Sequence, residues 1–409
     1  MKISFSPPFI SQEILDEVTD SLNSGWITTG PKVKALEAST AFLAGVEHCL
    51  CVNSATSALM LILHWYGIKR GDEVIVPAYT YAATALAVMH IGAIPIMVDI
   101  DNDFNISAEK IAAKITERTK AIIPVDIAGW PCDYASIKEV LNRPEVTNKF
   151  VPTSDNQEKL GRILLFSDSA HSIGSQFENR PTVLQSDIAV FSFHAAKNVT
   201  TAEGGAILLN MPEPFDNAEI YAQLRLWTLN GQTKDAFTKT QIGAWKYDVI
   251  YPGFKMNMPD VLAAIGLVQL KTYMSELLPR RKEVFERYYN GFAAFDWAQM
   301  PPSNSEKRKS SFHLFPLRII GVDENTRDAV IQEISESGIA VNVHFIPMPM
   351  LTVFKDRGYD INDYPATYFN YSREISLPIY PQLKDEEIDY IIHQVIQAYN
   401  RVVKNDSNS

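Results

Sequence analysis

Hydrophobic and polar positions change rhythm repeatedly along this chain. Seven runs are almost continuously apolar and rich in Val and Ile: CLCVNSA at 49–55, EVIVPA at 73–78, IPIMVDI at 94–100, KAIIPVDI at 120–127, RILLFSDSA at 162–170, IAVFSF at 188–193 and GGAILL at 204–209. Short runs of this kind, closed by small or polar residues, predict strands buried on both faces. Between several of them the spacing turns helical, as in SALMLILHWYGI at 57–68 and TALAVMHIGA at 84–93. Strand–helix alternation predicts an α/β fold with a mostly parallel sheet covered by helices. A long helix is predicted over 259–289, with Pro259 in its first turn. Beyond it the pattern becomes α+β, with strands at SFHLFPLRII (311–320) and IAVNVHF (339–345) and helices at 325–337 and 386–400. The expected division is a large domain over 1–277, whose N-terminal segment packs with the small one, a small domain over 278–403, and a flexible tail at 404–409. The polar, proline-containing stretch 142–161 reads as a loop.

Composition narrows the function classes. The 409 residues are 46% hydrophobic and 21% charged, as in ordinary globular proteins, and the net charge is -11. That balance argues against nucleic-acid binding by phosphate neutralisation. No apolar run reaches the ~20 residues of a membrane span, and the N-terminus lacks a signal-peptide core. Cys49, Cys51 and Cys132 have no disulfide or zinc spacing, which suits a reducing, cytoplasmic setting and no metal.

Four segments carry candidate chemistry. In FSFHAAKN (191–198) a strand ends at Ser192 and Lys197 follows in a turn of small residues. Open α/β sheets bind ligands at such strand ends, and partial desolvation there would free the amine as a nucleophile. Alone, a lysine beside a turn is more often a solvated surface group. In FSDSAH a strand delivers Asp168, placed to pair with a protonated ring nitrogen or merely to cap the next helix. In NSATSAL, Ser54, Ala55 and Thr56 open a helix, whose N-terminal N–H groups favour an anion. In PAYTYAAT, Tyr81 directly after a strand is a candidate platform for a planar ring.

Together these pieces resemble the DegT/DnrJ/StrS sugar aminotransferases, pyridoxal phosphate (PLP) enzymes of fold type I. The likeness runs from GWITTGP (25–31) through NSATSAL, PAYTYAAT, DSAH, FSFHAAKN and EGG (203–205) to SLPIYPQL (376–383). It implies a seven-stranded sheet and assigns roles by position. Lys197 matches the Schiff-base lysine and proton carrier, and Asp168 the partner of the pyridine nitrogen. Tyr81 matches the stacking residue, and His171 the group near the ring hydroxyl. Ser192, the Ala55 backbone and the Thr56 side chain match the phosphate cradle beside Ser54. Thr28 and Thr29 fall where members hold the nucleotide-sugar, and His344 where substrate is approached; His313 also fits the C-terminal pattern.

The resemblance further implies a homodimer with shared sites, in which GFKMNM (253–258) reaches the partner's phosphate. Here Lys255 replaces the usual Asn and Asn257 the usual Arg. At VDIAGWPCD, Asp126 stands where many members have His, and no role is assigned to it. The implied reaction moves an amino group from L-glutamate, by way of pyridoxamine phosphate, to the C4 ketone of a UDP- or dTDP-linked keto-deoxysugar for surface polysaccharide. Within the family a C3-keto substrate, or a dehydrating or aromatising reaction, is the alternative. Outside enzymology the alternative is a silent PLP-binding regulator.

Overall fold

The computed structural model describes residues 1–234 and 245–404. All seven apolar runs form strands: β1 (His48–Val52), β2 (Glu73–Pro77), β3 (Ile94–Val98), β4 (Thr119–Ile122), β5 (Leu164–Asp168), β6 (Ile188–Ser192) and β7 (Gly205–Leu209). They make one sheet in the order β1-β7-β6-β5-β4-β2-β3. Only β7 runs against its neighbours, pairing antiparallel with both β1 and β6. A parallel return would need a long crossover. The antiparallel one needs only residues 193–204, so the turn carrying Lys197 is held at the C-terminal end of β6. That loop is tied down by Thr201 N to Phe193 O at 2.8 Å and Thr200 N to the Gln269 side chain at 2.9 Å. Both faces of the sheet are covered. One core joins β1, β2, β5 and β6 to the helix Ala55–Trp65, and others fill the opposite side.

The predicted long helix is a continuous rod from Asp260 to Phe292, with a π turn at Tyr273–Leu277. Pro259 is its N-cap rather than its first turn. Among the described residues it is the one helix long and apolar enough to cross a membrane by those criteria alone. Several of its buried polar groups are nonetheless committed to protein. Asp260 accepts the backbone N–H groups of Gly30, Lys32 and Val33 at 2.8–3.0 Å, capping the helix Pro31–Ala44, whose own N-cap glycine has no side chain to do so. Tyr273 donates to Ile173 O at 2.7 Å.

After this rod come three antiparallel strands, β8 (Ala298–Gln299), β9 (Phe315–Ile319) and β10 (Glu374–Leu377), in the order β8-β9-β10. Helices Glu324–Glu336 and Asp385–Tyr399 share their core. Ile3 belongs to that core, and its N–H and C=O bond Gly338 and Ala340.

Two expectations are corrected. Residues 339–345 are not a strand; only Ile339 and Asn342 make isolated bridges. The backbone groups of His344 go elsewhere: its N–H to the Glu374 carboxyl at 3.0 Å and its C=O to the Tyr79 hydroxyl at 2.6 Å. Tertiary partners here outbid a ladder. The stretch 142–161 is not all loop. It holds Pro144–Thr147, with Pro at the first position, and Asp155–Leu160, capped by Ser154 and stopped by Gly161 in the left-handed region. Those cap signals were present and unread. Of the expected tail, Lys404 ends a π turn and 405–409 lie outside the described residues.

Candidate active site

The C-terminal ends of β1, β2, β5 and β6 converge on a cavity of about 440 Å³. It is lined by Ser54, Ala55, Thr56, Tyr81, Asp168, His171, Ser192 and Lys197, together with His313, His344 and Phe345 from beyond the long helix.

The corner after β1 is an anion cradle. Ser54 caps the helix Ala55–Trp65, its hydroxyl accepting Ser57 N–H at 3.1 Å. No acceptor within the described chain takes the N–H groups of Ala55 and Thr56, which open that helix beside the cavity. Gly205 permits the loop to lie flat against β7: a Cβ there would fall 2.5 Å from the Ala55 nitrogen. Ser192 completes the corner from the end of β6.

Asp168, at the end of β5, is 7% exposed. One oxygen accepts the Thr84 hydroxyl at 2.8 Å and the other Ala170 N–H at 3.2 Å. Burial pushes its pKa up; Thr84, Ala170 and the charge of Lys197 pull the other way. A buried carboxylate with no ion-pair partner among the described residues suits a ligand that brings its own N–H⁺. Lys197 is partly buried, and desolvation lowers its pKa to about 8 against the opposing pull of Asp168. Tyr81 is 64% exposed, its ring 5.9 Å from that of Phe345.

Hydrogen bonds fix the tautomers of two histidines. His171 Nδ1 accepts Ala128 N–H at 3.3 Å, so neutral His171 carries its hydrogen on Nε2. Asn198 donates to Ser311 O and to the Tyr273 oxygen, so its own oxygen must accept from His313 Nδ1, at 2.8 Å. His313 therefore leaves Nε2 bare. The two rings lie 4.3 Å apart. Burial keeps both well below the ordinary histidine range, helped next by Lys197 at His171 and by His171 and then Lys197 at His313. A phosphorylated pyridine aldehyde fits this set: an anion cradle, a buried carboxylate for the ring nitrogen, a neutral donor at His171, and a depressed amine.

Three candidates do not line this cavity. Thr29 donates to Met258 O at 2.6 Å and accepts from Asn257 Nδ2 at 2.6 Å, while the Thr28 carbonyl takes Asp260 N–H. Lys255 is exposed and donates to Asn257 Oδ1 at 2.6 Å. The WITTGP turn and GFKMNM thus form one polar patch outside their own chain's cavity. Asp126 is fully buried elsewhere, accepting Cys132 N–H at 2.9 Å, Tyr134 O–H at 3.0 Å and Ser169 O–H at 3.3 Å. It braces the turn after β4, and burial raises its pKa to about 6. Sequence reasoning missed Thr84 and gave His313 no site role. PAYTYAAT contained Thr84, one helical turn from Thr80, but nothing in the motif showed it facing Asp168.

The DegT/DnrJ/EryC1/StrS aminotransferase family model matches residues 8–148 and 155–396. A putative sugar aminotransferase from Streptococcus pneumoniae, solved in its PMP form, is 42% identical with a TM-score of 0.94, and 100% of each chain is covered. Helicobacter pylori PseC, an aminotransferase of pseudoaminic acid biosynthesis, is 28% identical with a TM-score of 0.84, covering 98% of this chain and 100% of that one. The spore coat polysaccharide biosynthesis protein SpsC of Bacillus subtilis is 35% identical over 410 residues, 98% of this chain and 97% of its own.

Proposed function

The chain belongs to the DegT/DnrJ/EryC1/StrS aminotransferase family, and on that premise we propose that it transfers an amino group from L-glutamate to the C4 ketone of a UDP- or dTDP-linked keto-deoxysugar. It is a PLP-dependent sugar aminotransferase of polysaccharide biosynthesis, here read as a cytoplasmic enzyme whose product feeds a surface polysaccharide. The observation that carries the reading is the meeting of depressed Lys197, buried Asp168 and the free N–H groups of Ala55 and Thr56 in one cavity.

When bound, PLP supplies an aldehyde that takes up amines and a ring that accepts electron density from the adjoining carbon. The protein's residues do the rest. The Ala55 and Thr56 N–H groups, with Ser192, would hold the phosphate. Asp168 would keep a proton on the ring nitrogen. His171, its hydrogen on Nε2, would donate to the ring hydroxyl. Tyr81, its ring largely exposed, would supply the stacking platform. Lys197, with a pKa of about 8, both takes and returns a proton at Nζ near neutral pH. Lys255 of a second copy reaches the phosphate in a homodimer, and Thr28 and Thr29 of that same patch border the nucleotide.

The test is a panel of 3-keto and 4-keto UDP- and dTDP-sugars, incubated with enzyme, PLP and L-glutamate, with products read by mass spectrometry. An amino sugar from a 4-keto substrate, with 2-oxoglutarate, is expected. Lys197→Ala should abolish both that product and the visible absorbance of the cofactor-bound enzyme. Amination of 3-keto substrates only would overturn the C4 assignment. Normal turnover by Lys197→Ala would overturn the role of the lysine.

A further inference from the structure

Behind His344 lies a buried acid that the reaction above does not use. Glu374, on β10, is 0% exposed. One carboxyl oxygen accepts His344 N–H at 3.0 Å, and the other bonds the Ser376 hydroxyl. Ser376 Oγ in turn lies 3.0 Å from His344 Nδ1. Nε2 of His344 has no partner within the described chain, and the residue lines the cavity, its ring stacked on Phe5 at 5.2 Å. Three side chains thus connect a sealed carboxyl to the substrate side of the site.

We propose that Glu374 is a positioning residue: through Ser376 it decides which nitrogen of His344 carries the hydrogen, and so whether Nε2 offers the cavity a donor or an acceptor. The chain has two complete arrangements. With Glu374 neutral, the oxygen that accepts His344 N–H cannot also hold the acid hydrogen comfortably, so that hydrogen sits on the other oxygen and is donated to Ser376. Ser376 then donates to Nδ1, and neutral His344 presents Nε2–H. With Glu374 ionised, one proton has left to solvent. Ser376 turns its hydrogen to the carboxylate, Nδ1–H donates to Ser376, and Nε2 is bare. The imidazole holds one hydrogen in both arrangements; only its place changes.

The surroundings favour the first arrangement at neutral pH. Burial raises Glu374 to about 8, although Arg327 and Arg318 face it and pull the other way. Tyr79 faces it too, its own ionisation pushed far up by burial. On the cavity side, burial and then the charge of Lys197 lower His344 to about 4, with His171 and His313 beside it also neutral. His344 therefore stays uncharged while Glu374 titrates. A donor at Nε2 suits a keto or carboxylate oxygen. That last step rests on the cavity being the chamber for amino donor and ketosugar; the tautomer assignment does not.

The experiment uses the full-length protein free of cofactor, with ¹⁵N-labelled histidine. His344 is assigned by its absence from a His344→Gln spectrum. The expected result is a neutral Nε2–H tautomer at pH 7 that gives way to Nδ1–H as pH rises through about 8. In Glu374→Gln the amide oxygen accepts His344 N–H and the amide NH₂ faces Ser376, so the Nε2–H form should persist across the whole range. Ser376→Ala should erase the pH step while leaving the far-UV spectrum native, and it serves alone if Glu374→Gln does not fold. A single tautomer in the parent protein from pH 6.5 to 9.5 would overturn the proposal. So would a step that survives in Ser376→Ala. Because no substrate is present, these outcomes are independent of which sugar the enzyme aminates.

Discussion

If Lys197 is the amine that captures the cofactor, as proposed, it can be titrated through that reaction. Only the neutral amine attacks an aldehyde. At pH 7 a lysine with a pKa of about 8 is neutral in roughly one molecule in ten, against roughly one in 2,500 for a lysine at its ordinary value near 10.4. Capture of PLP by the cofactor-free protein should therefore be about two orders of magnitude faster at pH 7 than an ordinary lysine allows. The rate, followed by stopped flow at the visible band, should climb with pH and level off above about 8. The cause of the depression is burial, with Asp168 opposing it. Asp168→Asn removes the opposing charge, so the midpoint should move down, whatever happens to the plateau. The sign for stability runs the same way. Between the folded and unfolded pKa values the unfolded chain binds more protons, so the Lys197 contribution improves as pH rises through that window and is a penalty below it. A rate still climbing at pH 10, or a midpoint moved upward by Asp168→Asn, would refute the reasoning.

Two other perturbations probe what supports the site. Thr84→Val leaves an Asp168 oxygen without its 2.8 Å donor. Losing a hydrogen bond to a buried charged group costs ~1.5–3 kcal/mol, so PLP affinity, measured by equilibrium titration, should fall roughly 10- to 150-fold; an unchanged Kd would mean that Asp168 is positioned without Thr84. Asp260→Ala strips three backbone donors of their acceptor at the start of Pro31–Ala44. A lost cap with buried donors exposed predicts about 2–4 kcal/mol of destabilisation, read as a lower urea midpoint at unchanged slope.

What could be read from the chain divides by the range of the interaction that decides it. The seven strands were legible because a strand buried on both faces needs an unbroken apolar run, and each run carries its own signal. Ser54, Asp168, Ser192 and Lys197 could be picked out because each sits at a strand end or in the turn just after one, where the residue type and the local turn coincide. Residues 339–345 were not legible. Their alternating pattern suits a strand, but the Glu374 carboxyl and the Tyr79 hydroxyl, distant in sequence, take the His344 backbone groups. The same long-range contacts bring His344 to the cavity and wire it to Ser376. The misread strand and the unread relay are therefore one fact. The ladder bonds that His344 gives up are replaced by bonds to the buried acid and to Tyr79, and the same acid reaches the His344 ring through Ser376. His313 shows the same logic from the other side: its tautomer is set by Asn198, one residue after Lys197, so the turn that carries the lysine also orients a histidine from beyond the long helix. The Lys197 loop and that wall of the cavity are thereby held in one hydrogen-bonded frame, which no local pattern in the sequence could have displayed.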